Sequence, residues 1–568
     1  MDGDTQMTST ARHGPAYAKM LGISCGLLAV TSVPYLFAWL AAPPGKIYTG
    51  LMYDVADHAQ YWSWVSASRH ALFISNTMTP EPNPAVFMNP MMWVLARLQA
   101  ALGLSFPALF QAWRIVAVLA LVGALVLFLR AAVPDPGQRK TALWLSLFGA
   151  GFGWILVVWK VARRLPDVPF PADLYTIEPN TFWSLLSYPY IALAQGLLLL
   201  SVLLVWRAHR RPGVAACLLA GVASLALALV HAYDLIILYA VVAAFGCALL
   251  LRDRRLPLPI LGAGVTVAVF SAPMAWYFRS LTANDPLWRS ILAQYSNAGV
   301  WTPQHVHLVV LMGLPMVLAG AALARRGPRT DEALLVSAWA VVGLALIYLP
   351  VVFQIKMLGG WQFPLAILAA QTWHDTVAPA AARGLKRWLD AAAAARAARL
   401  ALVLIVIPTN VYLYAWRFVE LRRQAAPYYL LQDEAAALDW LARNASAEDV
   451  VIAPEIIGQF VPNYGQTRAY LAHWAMTNRY HERVTRVKTF FTPRTADQWR
   501  ADVMTGEGVT MVLRAGSIPG LPELYDFSTP PRWEPVFSRP NASIYRRRPE
   551  PSLAPGARPL SAEGEPRR

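Results

Sequence analysis

The sequence predicts a polytopic α-helical membrane protein of about eleven membrane helices, followed by a small exported α/β domain. Three observations predict it. Hydrophobic residues make up 57% of the chain and charged residues only 14%, against roughly a quarter charged in soluble domains. Mean hydropathy is +0.40, and the apolar residues come in blocks long enough to cross a bilayer, about 20 residues each. After residue 418 the blocks shorten and polar residues divide them.

The spans read as 20–42, 106–130, 140–160, 189–207, 213–231, 234–251, 257–278, 306–325, 332–352, 360–377 and 397–418. The first is a retained helix, because its apolar run is too long for a cleaved signal and no small-x-small site precedes Pro43. Basic residues set the orientation. Arg12 and Lys19, Arg139 and Lys140, Arg207 to Arg211, Arg252 to Arg255, Arg325 to Arg329 and Arg383 to Arg399 all fall on one side. The positive-inside rule makes that side cytoplasmic, so the N-terminus (1–19) is inside and everything after 418 is outside. These short loops carry much of the net charge of +16, which excludes a nucleic-acid partner. Cys25, Cys217 and Cys247 lie inside spans, so the exported parts have no disulfide framework and no cysteine metal site.

The membrane part, 20–423, has a large first outer loop, 43–105. It opens on Asp54, Asp57, His58 and Tyr61, which share one helical face by three- and four-residue spacing. Asn76 to Pro84 follows as a polar, proline-punctuated loop, and Met91–Leu102 as an interfacial helix. The second outer loop, 161–188, carries Asp167, Asp173 and Glu178. Tyr188 and Tyr190 read as interface anchors. His231 and Asp234 stand at a span boundary, where they cost energy unless a wet cavity or a partner receives them. Arg279 and Lys356 are outward cations. Acids and isolated cations around one outer cavity suit a phosphorylated lipid: cations hold phosphate, and a carboxylate handles a proton. Each feature also has a plainer reading. The acid pair suits a solvated loop, Asp167 a pair with Arg163 or Arg164, His231 a helix cap, and Lys356 a snorkelling cation.

Residues 424–548 read as a small α/β domain with a mostly parallel sheet. Helices are expected over 432–443, 480–491 and 496–504, with a helical turn at 455–461. Strands are expected over 449–453, 467–471 and 509–513, closed by a hairpin of 536–538 and 542–546. There is no Gly-rich phosphate loop. Residues 549–568 have the composition of a disordered tail.

This arrangement resembles the GT-C class of membrane glycosyltransferases, which includes protein O-mannosyltransferases, aminoarabinose transferases and oligosaccharyltransferases. The resemblance covers the membrane part: many spans, a large first outer loop with an acid soon after span one, and an exported C-terminal domain. The Trp-Trp-Asp-Tyr-Gly motif is missing, which sets the oligosaccharyltransferase subgroup aside; the resemblance is to the protein mannosyltransferases and aminoarabinose transferases, and the C-terminal domain looks similar to those of bacterial inner-membrane proteins of this kind. The resemblance implies that Asp57, with Asp54 second, acts on the acceptor as base or metal ligand. Asp173 and Glu178 match the further acids some members carry, so a divalent metal (Mg or Mn) on Asp57, Asp173 and Glu178 is allowed but not required. No other cofactor is implied. The implied reaction moves a sugar from a polyprenyl-phosphate donor to a glycan, lipid or protein acceptor on the outer face. His58, Tyr61, His231, Asp234, Lys356 and Arg279 are the residues expected around the substrates, with Lys356 or Arg279 neutralising the departing phosphate.

A transporter or lipid flippase is the main rival, and it would show repeated halves or broken, centrally charged spans. A non-catalytic scaffold is the third reading, and the first-loop acids argue against it. On the orientation read here, a reporter fused after residue 548 is active only in the exported compartment. Cytoplasmic activity of that fusion would reverse the assignment of sides.

Overall fold

The computed structural model describes residues 14–294, 303–325, 330–351, 353–528 and 533–547. The expected disordered tail, most of the N-terminal tail with Arg12, and Arg326 and Arg329 lie outside the described residues. The chain forms two compact units. One runs up to Ser75 and continues over Pro84–Leu430; the other joins Asn76–Asn83 to the residues from Leu431 onward.

The first unit is helical. Its elements are α1 (Gly14–Leu40), β1 (Lys46–Tyr48), α2 (Val55–Ala67), β2 (Phe73–Ile74), β3 (Phe87–Met88), α3 (Pro90–Leu102), α4 (Phe106–Ala132), α5 (Pro136–Phe148), α6 (Gly153–Ala162), α7 (Thr181–Ser187), α8 (Pro189–Arg210), α9 (Val214–Val230), α10 (Asp234–Asp253), α11 (Leu258–Asn284), α12 (Pro286–Gln294), α13 (His305–Leu323), α14 (Asp331–Ile347), α15 (Gln362–Thr372), α16 (Ala378–Leu385), α17 (Ala391–Val406), α18 (Pro408–Arg422) and β4 (Tyr429–Leu431). Local chemistry starts many of them. Ser105, Asp135, Asn180 and Asp390 cap α4, α5, α7 and α17, each side chain accepting an N–H of the first turn, which satisfies one of the amides every helix start leaves open. α4 packs on α8, α9 on α8 and α11, and α13 on α15.

Each of the eleven apolar segments coincides with helix, but their lengths differ. Among the described residues, six helices are long and apolar enough to cross a membrane, and eight if the bent pairs α5–α6 and α17–α18 each count as one span. This is an integral membrane protein. α9 and α14 have 17 residues each, at the short end of what spans a bilayer, and α15 runs on through a π-helical turn, Trp373–Val377, into α16.

The second unit is α/β: α19 (Gln432–Asn444), β5 (Val450–Ile452), α20 (Glu455–Gly458), α21 (Val461–Tyr464), β6 (Arg468–Ala469), α22 (Tyr480–Phe491), α23 (Asp497–Gly506), β7 (Met511–Ala515), β8 (Trp533–Arg539) and β9 (Ala542–Arg547). The strand order is β6-β5-β7-β9-β8. β5 pairs parallel with β6 and β7, and β9 pairs antiparallel with β7 and β8. The sheet is therefore mixed rather than mostly parallel. The closing hairpin inserts β9 beside β7, where Val512 faces Tyr545 and Leu513 faces Ile544. Ile452, Val512, Phe490, Phe491, Phe527 and Trp533 belong to its core.

The segment Asn76–Asn83, read as a loop of the membrane part, belongs to this second unit. The Ala469 N–H donates to the Thr77 carbonyl at 2.9 Å, and the Thr477 hydroxyl donates to the Met78 carbonyl at 2.7 Å. The buried Arg483 donates to Glu81 and Glu507, each at 2.7 Å. Replacing Glu81 by Gln removes the charge from one of these bonds, at a cost of about 1 to 2 kcal/mol. Hydrogen exchange at the Ala469 amide is expected to quicken in that variant. Unchanged exchange there would mean that the main chain alone holds the segment.

Candidate functional site

The first-loop acids sit where a backbone turn and a buried tyrosine bring them together. Asp54 precedes α2 with φ 39° and ψ 60°, in the left-handed region, and its side chain makes no capping bond. Aspartate tolerates that conformation better than most residues. The turn takes Asp54 off the helix face expected for it and aims its carboxylate at Tyr188, whose hydroxyl donates to Asp54 Oδ2 at 2.5 Å and lies 3.4 Å from Asp57 Oδ2. Tyr188 is 2% exposed. It is a buried partner of two acids and not the interface anchor the sequence suggested. Burial first, and then the two carboxylates, push its phenol well above the usual tyrosine range, so it stays a donor.

His58 is buried on α2. Its Nδ1 meets the Asp54 carbonyl and its Nε2 the Ser187 carbonyl, both at 2.8 Å. The ring thus lies between a main-chain oxygen at the start of α2 and one at the end of α7, and its N–H donates to one of them. Arg417 on α18 braces the other side. It donates to the Met52 carbonyl at 3.2 Å and to Glu420 at 2.7 Å, and its guanidinium lies 5.0 Å from the Tyr53 ring centre and 5.3 Å from that of Trp183.

From the acids a row of rings runs through the unit. His58 contacts Tyr188 (4.7 Å between ring centres), Tyr61 contacts Tyr190 (5.3 Å), Tyr190 contacts His231 (5.2 Å), His231 contacts Tyr233 (5.4 Å), and Tyr233 contacts Phe353 (4.5 Å). Tyr61 and Tyr190 are half-buried. His231 Nδ1 lies 2.9 Å from Asp234 Oδ1, though off the line of a hydrogen bond. Phe353 leads into the 3₁₀ turn Gln354–Leu358. There Lys356 Nζ donates to Glu178 Oε1 at 2.6 Å, and Gln195 holds the Glu178 carbonyl at 2.7 Å. Gly359 closes the row, since a Cβ there would stand 3.4 Å from Asp234 Oδ1. A run of contacts therefore links Asp54, Asp57, His58 and Tyr61 at one end, through His231 and Asp234, to the Lys356–Glu178 pair at the other. Arg279 is exposed on α11 and joins neither the ion pair nor the row.

Asp173 has partners of its own, the Gly153 N–H and the Thr409 hydroxyl. Among the described residues no group of three or more His, Cys, Asp or Glu side chains is placed to hold a metal ion. Asp57, Asp173 and Glu178 are met by Tyr188, by Gly153 with Thr409, and by Lys356 respectively. The three acids do not converge, because each answers a different helix end, and no step is routed through a divalent metal. Asp173 is 4% exposed, and burial pushes its pKa up to about 6 against the bonds from Gly153 and Thr409.

The residues missed in the sequence are Tyr188, Tyr190 and Arg417. Tyr188-Pro189-Tyr190 has the composition of an interfacial belt, and nothing local reveals which ring turns inward. Arg417 carried a signal, a charge in the last turn of a membrane segment, which is a functional hypothesis by default.

No family model matches the chain, and no curated protein matches it. Among solved structures it is similar to the oligosaccharyltransferase of Archaeoglobus fulgidus tethered with an acceptor peptide, at 13% identity over 86% of this chain and 68% of that one, TM-score 0.48. It is likewise similar to AglB of that organism with an inhibitory peptide and dolichol-phosphate (13%, 86% and 69%, TM-score 0.48). A third similar structure is ArnT from Cupriavidus metallidurans bound to undecaprenyl phosphate (14%, 92% and 98%, TM-score 0.46).

A Cβ at Gly153 would stand 1.8 Å from Asp173 Oδ1, whereas one at Gly22 would meet nothing within 4 Å. Gly153→Ala should therefore lower stability by about 1 to 3 kcal/mol, the usual cost of overpacking. Gly22→Ala should not. Thermal unfolding of the detergent-purified variants checks this, and equal melting of the two would mean that the approach of Gly153 to Asp173 relaxes freely.

Proposed function

We propose that this protein transfers a sugar from a polyprenyl-phosphate donor to an acceptor hydroxyl at the outer face of the membrane. The observation that carries the reading is the shared Tyr188 hydroxyl, which holds Asp54 at 2.5 Å and reaches Asp57 only at 3.4 Å. The short bond occupies one oxygen of Asp54, and Asp57, the farther of the two from Tyr188, is the acid to which we assign the acceptor proton.

In the reaction the acceptor oxygen bonds the anomeric carbon of the sugar, and the bond from that carbon to the phosphate oxygen breaks. The acceptor proton goes to Asp57, and the electron pair leaves on the lipid phosphate. The half-buried Tyr61 and Tyr190 offer ring faces on which a sugar stacks. Lys356 is the cation we assign to the phosphate charge as it develops, and His231 and Asp234 are the side chains we assign to the sugar hydroxyls. The outer-face assignment rests on the basic-loop asymmetry.

A second reading is favoured by one observation. Three membrane helices are broken near a buried acid, as in ion-coupled transporters and flippases. That reading requires no acceptor and predicts movement of intact lipid-linked sugar.

The test is Asp57→Asn, assayed with purified polyprenyl-phosphate sugars and an acceptor extract. Loss of the general base should cut transfer by about 100- to 10,000-fold while leaving the melting temperature unchanged. Near-wild-type transfer would remove Asp57 from the chemistry. Transbilayer movement of donor in vesicles, without any transfer, would establish the second reading instead.

A further inference from the structure

Three helix breaks meet at one place in the first unit. α5 and α6 are bent by 46° across Gly149–Phe152, and α17 and α18 by 52° at Ile407. α13 is interrupted at Gly313, with φ 62° and ψ −150°. The amides and carbonyls these breaks free are partnered with one another. The Ala150 N–H donates to the Val406 carbonyl at 3.0 Å and the Phe152 N–H to the Val310 carbonyl at 2.7 Å. The Thr409 hydroxyl lies 3.1 Å from the Gly151 carbonyl and 3.0 Å from Asp173 Oδ2, which also accepts the Gly153 N–H at 2.9 Å.

One set of oxygens is left over. Asp173 Oδ1, Thr176 Oγ1 and Gln362 Oε1 are buried and have no hydrogen-bond partner. Their residues are 4%, 2% and 7% exposed. All three line a single cavity of about 20 Å³, together with Gly149, Gly151 and Asn180; a water-sized occupant needs about 10–15 Å³. The Gln362 amide nitrogen is already committed to Thr181 and Gln195, so its oxygen is the atom left for the cavity. Two buried oxygens and one carboxylate oxygen left without hydrogen bonds are costly.

We propose that this cavity binds one small monovalent cation of the sodium class, held by Asp173 Oδ1, Thr176 Oγ1 and Gln362 Oε1. The ligand set is all oxygen, which selects hard cations over thiophilic ones. The lining contains one acid and no basic residue, so a single positive charge neutralises the site. A divalent ion would leave an uncompensated buried charge. An anion is excluded by the carboxylate. Unwound backbone and the C-terminal ends of half-helices are the usual surroundings of such ions in membranes, and the C-terminal end of α5 is at this cavity. The ion would fix the bends of α5–α6 and α17–α18 relative to α13. The site is separate from Asp57 and does not depend on the transferase reading.

The experiment is thermal unfolding of the full-length protein in detergent, in sodium chloride against choline chloride at constant pH and ionic strength, with ²²Na binding measured in parallel. Sodium should raise the melting temperature saturably, with one ion bound per chain. Asp173→Asn should abolish both effects. Thr176→Val, close to isosteric, should fold and weaken the half-saturating sodium concentration roughly tenfold, the loss of about one ligand bond. Asp57→Asn should leave the sodium response intact, which keeps this result distinct from the test of sugar transfer. Indistinguishable melting in sodium and choline, as for a cavity holding a single water, would overturn the proposal. So would an undiminished sodium response in both Asp173→Asn and Thr176→Val.

Discussion

A membrane helix can break only where the amides and carbonyls it frees find partners inside the protein. This chain breaks three helices, and their loose ends answer one another around Asp173 and Thr409. The position of the acid pair follows from that knot. Asn410, two residues into the restarted helix, donates to the Phe148 carbonyl at the end of α5 and accepts from Asn180 at 2.8 Å. Asn180 in turn caps α7. α7 delivers the Ser187 carbonyl to His58 and the Tyr188 hydroxyl to Asp54. A path of short polar contacts therefore runs from the broken ends of α5 and α18 to the carboxylates of the first outer loop.

That path explains why the first-loop acids lie in two different backbone settings. An aspartate before a helix ordinarily caps it through the amides of the first turn. Asp54 gives up that role, adopts a left-handed turn and spends its carboxylate on Tyr188. Asp57, in the first turn of α2, keeps a helical backbone. Two nearby acids thereby acquire different surroundings. Arg417, over Tyr53 and Trp183 and bonded to the Met52 carbonyl, keeps the preceding residues from relaxing out of the turn.

The sequence showed the helical segments plainly because burial in lipid demands long apolar runs, and it showed helices such as Tyr480–Phe491 through their own periodicity. It did not show where those runs break. Gly313 and Gly153 look like other membrane glycines, and what singles them out is a carbonyl of Ala150 at one and Asp173 at the other. The row that links Asp57, His231, Lys356 and Glu178 was half legible. Their residue types were conspicuous at span boundaries, but the Tyr61–Tyr190–His231 row depends on which face of α8 turns inward. The departure of Asp173 from the other acids was invisible, because its partners are backbone groups freed by breaks. The assignment of Asn76–Asn83 to the second unit was hidden for a similar reason. Its bonds to Ala469, Thr477 and Arg483 span hundreds of residues, and nothing in a proline-rich loop names its partner.

The Lys356–Glu178 pair shows what the proposed chemistry asks of the fold. Its side chains are 20% and 7% exposed, so water does little to offset the cost of separating them. Taking Lys356 wholly away to a phosphate would strand Glu178 as a buried carboxylate, at several kcal/mol. An ammonium has three donors, however, and can hold a phosphate oxygen while keeping Glu178. The phosphate is then attracted by Lys356 and repelled by Glu178, across short distances in a poorly solvated setting. Attraction grows as negative charge develops on the leaving oxygen, while the repulsion keeps the product from being held too tightly. A lone lysine would bind the departing lipid phosphate more strongly and release it more slowly, so on this reading the acid beside Lys356 serves turnover as well as structure.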